Sequence, residues 1–248
     1  MNLLAIDTSS DYLSLAVMKD GKVAASLHRR CAMAHSSMLI PMIDRLLKKS
    51  RLRAGEIDYF AISIGPGSFT GLRIGVTTVK GLAYSLKKRI VAVPTLDVIA
   101  RNVKNFRGMI CPVLNARKNK VYACIYKSDG KNIKRASKYL LLSVNELMER
   151  TKRYGEVLFL DDGVLGPSPA NSLTPGGIRI KSASQILGPS SAPIRRVLRI
   201  KFASQIWYPR ARVVAELALA EIAKKNFVKP EDLEPLYLYS KECDITGK

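Results

Sequence analysis

The apolar pattern of this chain runs through one order of elements and then begins again, which restricts the folds open to it. Residues 2–7 (NLLAID), 12–18 (YLSLAVM) and 22–28 (KVAASLH) read as strands, and Asp20-Gly21 between the last two is a strong short-hairpin signal. Helical periodicity occupies 36–50, after which 58–64 reads as a strand, 70–86 as a helix, 89–93 as a strand and 95–105 as a helix. The sequence βββαβαβα then restarts. Residues 109–114, 121–127 and 136–142 read as three more strands, with Ser128-Asp129-Gly130 as a turn. Ser143 and Glu146 form a capping box for a helix through Arg150, and 156–161 reads as the strand after it. Two such runs predict an α/β protein of two halves, 1–106 and 107–248, each a sheet covered by helices.

One stretch interrupts the second run. Between Asp162 and Glu216 there is no acidic residue, against eight Lys and Arg, and Ala183–Ile186 recurs as Ala203–Ile206. At the acid content of the rest of the chain about five Asp or Glu are expected there. Residues 163–206 therefore read as an atypical segment, either a flexible insertion or sequence from a shifted frame. Residues 210–225 resume with an amphipathic helix carrying Val213, Leu217 and Ala220 on one face.

The chemistry-bearing run is Ile64-Gly65-Pro66-Gly67-Ser68-Phe69-Thr70-Gly71-Leu72-Arg73-Ile74-Gly75. Glycine and proline at 65–67 enforce a tight turn, and Ser68 and Thr70 are natural helix N-caps. A strand, a glycine turn and a capped helix make an anion cradle, because free amides and the helix dipole point the same way. Asp7-Thr8-Ser9-Ser10 ends the first strand. Asp7, Thr8, Gly67 and Ser68, at the strand end and the turn, are the candidate ligand-binding residues. Nothing resembles a nucleophile elbow, and the two histidines, His28 and His35, stand seven apart with no carboxylate motif between them. His35 at a helix start reads as a cap or surface residue. No catalytic residue and no metal site is expected.

The two helices beside this run carry a second signal. Leu39, Ile43, Leu46 and Leu47 form a core stripe on the first, with Met38 and Met42 next to it. Leu72, Val76, Val79 and Ala83 suit the core on the second, while Gly71, Gly75, Thr78 and Leu82 follow a neighbouring line of mostly small residues that would admit a partner helix.

Several of these segments occur together in one family. Met1–Ser10, His35–Asp44, Gly65–Gly75, Gly81–Leu86 and Val91–Leu96 appear in the order expected of TsaB, also called YeaZ. The chain resembles that family over residues 1 to about 162, and again at Trp207–Arg210 and Glu234–Leu238. The resemblance implies an actin-like/Hsp70-like (ASKHA) fold of two RNase H-like halves. It implies a cytoplasmic, non-catalytic subunit needed for threonylcarbamoyladenosine formation at the adenosine beside the tRNA anticodon. Such a subunit binds and stabilises the transferase TsaD together with the ATPase TsaE, and pairs with a second copy of itself when TsaD is absent. The partner surface would be the two helices above, tRNA would be met through the complex, and ATP or ADP would belong to the complex. The resemblance also implies a nucleotide as the ligand of Asp7, Thr8, Gly67 and Ser68. The metal-binding histidine pair of TsaD falls at Thr95 and Ile99 here, which cannot replace it.

Two other readings stay open. One is an ASKHA-type ATPase or kinase using Asp7 and the glycine turn. The other is a basic RNA-binding protein, since the formal charge is +21 and clustered cations release counterions from phosphates. No RRM-like aromatic-basic module is present, so sequence-specific RNA reading is not expected. No apolar run reaches the ~18 residues of a membrane span. The N-terminus lacks a basic flank and Asp7 interrupts its apolar run, so a secretory signal is not expected. Cys31, Cys111, Cys124 and Cys243 are scattered and read as reduced thiols.

Overall fold

Strand β1 (Asn2–Asp7) is apolar on both sides, and the first unit is built outward from it. Side chains alternate along a strand, so Leu4 and Ile6 face one way and Leu3 and Ala5 the other; all four are fully buried. β1 pairs antiparallel with β2 (Tyr12–Lys19) and parallel with β4 (Tyr59–Ser63). With β3 (Lys22–Arg30) and β5 (Arg89–Val93) the sheet order is β3-β2-β1-β4-β5. Asp20 and Gly21 both adopt positive φ, 51° and 75°, the backbone that a two-residue hairpin between twisted strands requires. The computed structural model describes residues 1–31, 34–161, 163–165, 201–202 and 207–239.

Helices α1 (His35–Lys49) and α2 (Phe69–Leu86) cover the face that bears Leu4 and Ile6. Their core stripes are those expected: Leu39, Ile43, Leu46 and Leu47 from α1, and Val76, Val79 and Ala83 from α2. α3 (Thr95–Arg101) follows β5 and stops short of residue 105, where Asn105 turns to a φ of 60°. The opposite face of this sheet is covered by α5 (Ala211–Ala223), whereas α4 (Val144–Lys152) packs in the second unit. Ala211, Val214, Ala215 and Ala218 share a core with Leu3, Ala5, Ala61 and Val91. The first amide of α5 has no capping side chain from its own N-cap, Arg210, and donates instead to Ser14 Oγ of β2 at 2.9 Å.

Sequence order placed α5 with the C-terminal half. In the structure the first compact unit is Met1–Val98 with Tyr208–Tyr237, and the second is Ile99–Trp207 with Leu238–Lys248. The physical reason is the two-sided sheet: without α5, Leu3, Ala5 and Val91 would lie open to water.

The second unit repeats the strand order in broken form. β6 (Arg107–Asn115) pairs antiparallel with both β7 (Lys120–Ala123) and β8 (Tyr126–Asp129), a strand interrupted at Cys124-Ile125. The third strand is split likewise into β9 (Ile133–Arg135) beside β8 and β10 (Leu140–Ser143) beside β7. β11 (Val157–Asp161) then runs parallel to β6, and β12 (Lys201–Phe202) parallel to β11. The α4 capping box forms as expected, with Ser143 N donating to Glu146 Oε2 at 2.7 Å and Glu146 N to Ser143 Oγ at 3.2 Å. The atypical segment 163–206, with its repeated tetrapeptide, lies almost wholly outside the described residues. Cys31, Cys111 and Cys124 are not in disulfides. Among the described residues no helix is long and apolar enough to cross a membrane.

The helices of the first unit share one ending. Arg51 after α1, Lys87 after α2 and Lys225 after α5 have φ of 54°, 53° and 56°. Glycine is the usual occupant of such left-handed helix ends.

A fragment ending at Val98 should be insoluble or molten, because one face of its sheet is bare. Adding residues 207–239 as a separate chain should restore a cooperative thermal transition, read by near-ultraviolet circular dichroism.

Candidate functional site

The candidate nucleotide residues do come together, at the C-terminal ends of β1 and β4. The turn between β4 and α2 folds back onto the strand end so closely that Ser68 N donates to Ser9 O at 2.7 Å. Ser68 caps α2 as its sequence predicts, its hydroxyl accepting from Gly71 N at 3.3 Å. A Cβ added at Gly67 would overlap the Ser9 carbonyl oxygen, and one at Gly71 the Thr8 carbonyl oxygen. One at Gly75 would overlap Thr8 Oγ1. Glycines spaced by four therefore form a groove in which the end of β1 lies.

This geometry corrects the expectation for two partner-surface residues. Gly71 and Gly75 are buried and face Thr8, so their line of small residues serves an internal contact. Met38, Met42 and Leu82 are half-buried against the core beneath α1 and α2, and Thr78 is half-buried on α2. The large apolar side chains most exposed on these helices are others: Ile40 at 49% and Tyr84 at 78%.

Asp7 and Thr8 are fully buried. Asp7 Oδ1 accepts from Ser9 N and Ser9 Oγ, both at 3.1 Å. Burial pushes the Asp7 carboxyl up to about 6, against the pull of Ser63, of Ser9 and of His35 nearby. His35, the first residue of α1, is only 4% exposed, not the surface or capping residue its position suggested. Its Nε2 and Thr8 Oγ1 are buried without a hydrogen-bond partner.

Thr95, which the family resemblance aligns with a metal-ligand position, has a structural task here. Thr95 N donates to Gly65 O at 2.8 Å and Thr95 Oγ1 accepts from Gly65 N at 3.0 Å, so it staples the glycine turn. Ile99 is buried in an apolar environment. Sequence reading missed Ser63, His35 and Thr95 as members of this buried polar group. Ser63 was legible in principle, as a hydroxyl at the end of a strand otherwise buried and apolar.

At the turn, then, the amides that would grip a phosphate are engaged in part by the chain itself, and the acidic residue below is enclosed. Comparison with known proteins places this arrangement. The family model described as "TsaD: tRNA N6-adenosine threonylcarbamoyltransferase" matches residues 28–169. The "tRNA threonylcarbamoyladenosine biosynthesis protein TsaB" of Buchnera aphidicola subsp. Schizaphis graminum is 33% identical over 154 residues, covering 61% of this chain and 73% of that protein. The chain belongs to the TsaB (YeaZ) family. The TsaB protein of Bacillus subtilis is 37% identical over 127 residues, 51% of this chain, and the match spans just over half, 56%, of that protein. The solved structure of YeaZ from Pseudomonas aeruginosa superposes with a TM-score of 0.70 at 22% identity, covering 95% of this chain and 100% of that one. The fold is thus the ASKHA fold with RNase H-like halves, as the strand order of the first sheet indicates.

Two outcomes follow for the buried cluster. Gly75→Ala should cost on the order of 3 kcal/mol in urea unfolding, because Thr8 and the sheet beneath it must shift, and Gly75→Arg should not fold. Asp7→Asn should stabilise the protein at pH 8 by about 3 kcal/mol. The sign follows from a folded value raised to about 6, above the ordinary carboxylate value of 3.8. The carboxyl is neutral in both states below pH 4, so the variants match there. The wild type loses stability progressively from pH 4 to above 6. His28, lowered to about 4 by burial and Arg210, acts in the opposite sense as pH falls below 6.5. The difference between variant and wild type isolates Asp7.

Proposed function

We propose that this chain is a non-catalytic subunit in threonylcarbamoyladenosine formation on tRNA, acting by binding and stabilising a TsaD-type transferase. The observation that carries the non-catalytic reading is the enclosed strand end. Asp7 and Thr8 have no exposed surface, and Ser68 N is held by Ser9 O. A kinase or ATPase would need those groups open to a nucleotide and its metal. Thr95 and Ile99 in place of a histidine pair support the same reading, while the name shared by the relatives supports the pathway.

The partner surface is assigned to the exposed side of α1 and α2. Ile40 supplies an exposed apolar side chain on one flank of the α1 core stripe, and half-buried Met38 and Met42, one turn apart, supply the opposite flank, where methionine suits adaptable packing. Leu82 and Thr78 extend the surface onto α2. A second copy of this chain would occupy the same surface when the transferase is missing, and a TsaE-type ATPase would join the assembled complex, where ATP or ADP would bind.

Co-purification with a TsaD-type protein, and modification of tRNA with and without this chain, test the proposal. Ile40→Glu or Met42→Glu should each reduce binding at least tenfold while leaving the melting temperature within a few degrees, since burying an unpaired carboxylate costs several kcal/mol. Robust modification of tRNA by this chain alone, with activated substrate supplied, would overturn the non-catalytic reading.

A further inference from the structure

The formal charge of +21 looks diffuse along the sequence, but the fold gathers part of it. Three turns meet at the N-terminal ends of β1, β4 and β5, the opposite end of these strands from Asp7 and Gly67. Residues 48–58 hold four Lys and Arg against two acids, while 87–89 and 224–229 hold three each and no acid. The turns are joined directly. Lys88 Nζ donates to Gly55 O at 2.9 Å, linking the first to the second. The Arg89 guanidinium lies 4.9 Å from the centre of the Phe227 ring, and Val228 N donates to Ile90 O at 2.9 Å, linking the second to the third. An open hollow of about 460 Å³ lies here, lined by Met1, Asp58, Tyr59, Lys87, Lys88 and Arg89.

Few of these cations are neutralised. Lys48 pairs with Asp44 and Lys224 with Glu221. Lys49, Arg51, Lys87 and Lys225 are exposed, and none has a carboxylate at ion-pair distance among the described residues. A helix C-terminus favours a nearby cation, and one per helix would serve that purpose; here each end carries three or four. Moreover Arg51, Lys87 and Lys225 occupy the left-handed positions where glycine would be the easier residue. Charge is kept at these three places against the preference of the backbone.

We propose that this pole of the first unit is a contact surface for the phosphate backbone of RNA. The choice of RNA among polyanions rests on the function proposed above, in a pathway that acts on tRNA. The contact would be non-specific in sequence and strongly salt-dependent, because each phosphate neutralised releases counterions.

The test uses the full chain with fluorescently labelled tRNA, titrated by anisotropy from about 50 to about 300 mM salt. The variant Lys49→Gln/Arg51→Gly/Lys87→Gly/Lys225→Gly removes four charges and places glycine where the backbone favours it, so it should fold as well as the wild type. A control, Lys131→Gln/Lys134→Gln/Lys138→Gln/Arg150→Gln, removes the same charge from the second unit. The pole variant should bind at least tenfold more weakly, with the slope of log K against log salt reduced by about 3, whereas the control should change less than threefold. Equal weakening in both variants would overturn the proposal, as would wild-type tRNA binding by the pole variant. Binding to anionic phosphatidylserine vesicles with none to tRNA would likewise overturn it. Failure here with intact co-purification and tRNA modification leaves the functional proposal standing. Localised tRNA binding without any effect on modification would support the surface and count against that function.

Discussion

The contact on which the first unit turns is backbone against backbone, where the end of β1 lies in the groove made by Gly67, Gly71 and Gly75. Such proximity is open only to glycine, since each added Cβ would overlap an atom of Thr8 or Ser9. It fixes α2 on the sheet at its N-terminal end and lets Val76, Val79 and Ala83 meet Leu4 and Ile6 further along. The same closeness shuts water out from Asp7, whose carboxyl is held protonated more firmly as a result. A stretch of sequence that reads as an anion cradle is thus also a packing device, and packing takes the space that a ligand would need.

Much of the fold was legible because its signals are local. The Asp20-Gly21 hairpin, the Ser68 cap and the Ser143–Glu146 box depend on neighbours a few residues away, and each formed where the sequence placed it. The core stripes of α1 and α2 were legible for the same reason. What could not be read was direction and distance. Gly71 and Gly75 mark a close approach, but a helix pattern does not say whether the approaching backbone belongs to the chain or to a partner. The placement of α5 required knowing that the sheet has two apolar faces and only one set of helices nearby in sequence. Thr95 and His35 became members of the buried group through contacts across 30 residues or between elements, such as that of Thr95 with Gly65, for which periodicity carries no signal.

The proposed partner surface shows the same limit more sharply. Half-burial of Met38, Met42 and Leu82 means that these side chains belong partly to the core and partly to the outside. A residue in that position links folding to binding: a change that empties space beneath it weakens the monomer, while a charge at its tip acts on association. Ile40, more exposed, separates the two effects more cleanly. The division of labour in the first unit is therefore spatial, with enclosed polar residues at one end of the strands, an apolar helical flank, and free positive charge at the other end.

The return of α5 to the first sheet also bears on how the chain is made. The first unit draws on residues 1–98 and 208–237, so the ribosome must produce the whole intervening region before that unit can close. At roughly 5–20 residues per second, the wait is on the order of 5–20 s, during which Leu3, Ala5 and Val91 have no helix over them. The N-terminal sheet is thus born before its cover. A nascent chain of this protein exposes an apolar sheet face for far longer than the microseconds in which its hairpin and helices form, and that face is a natural client surface for chaperones that attend the ribosome exit.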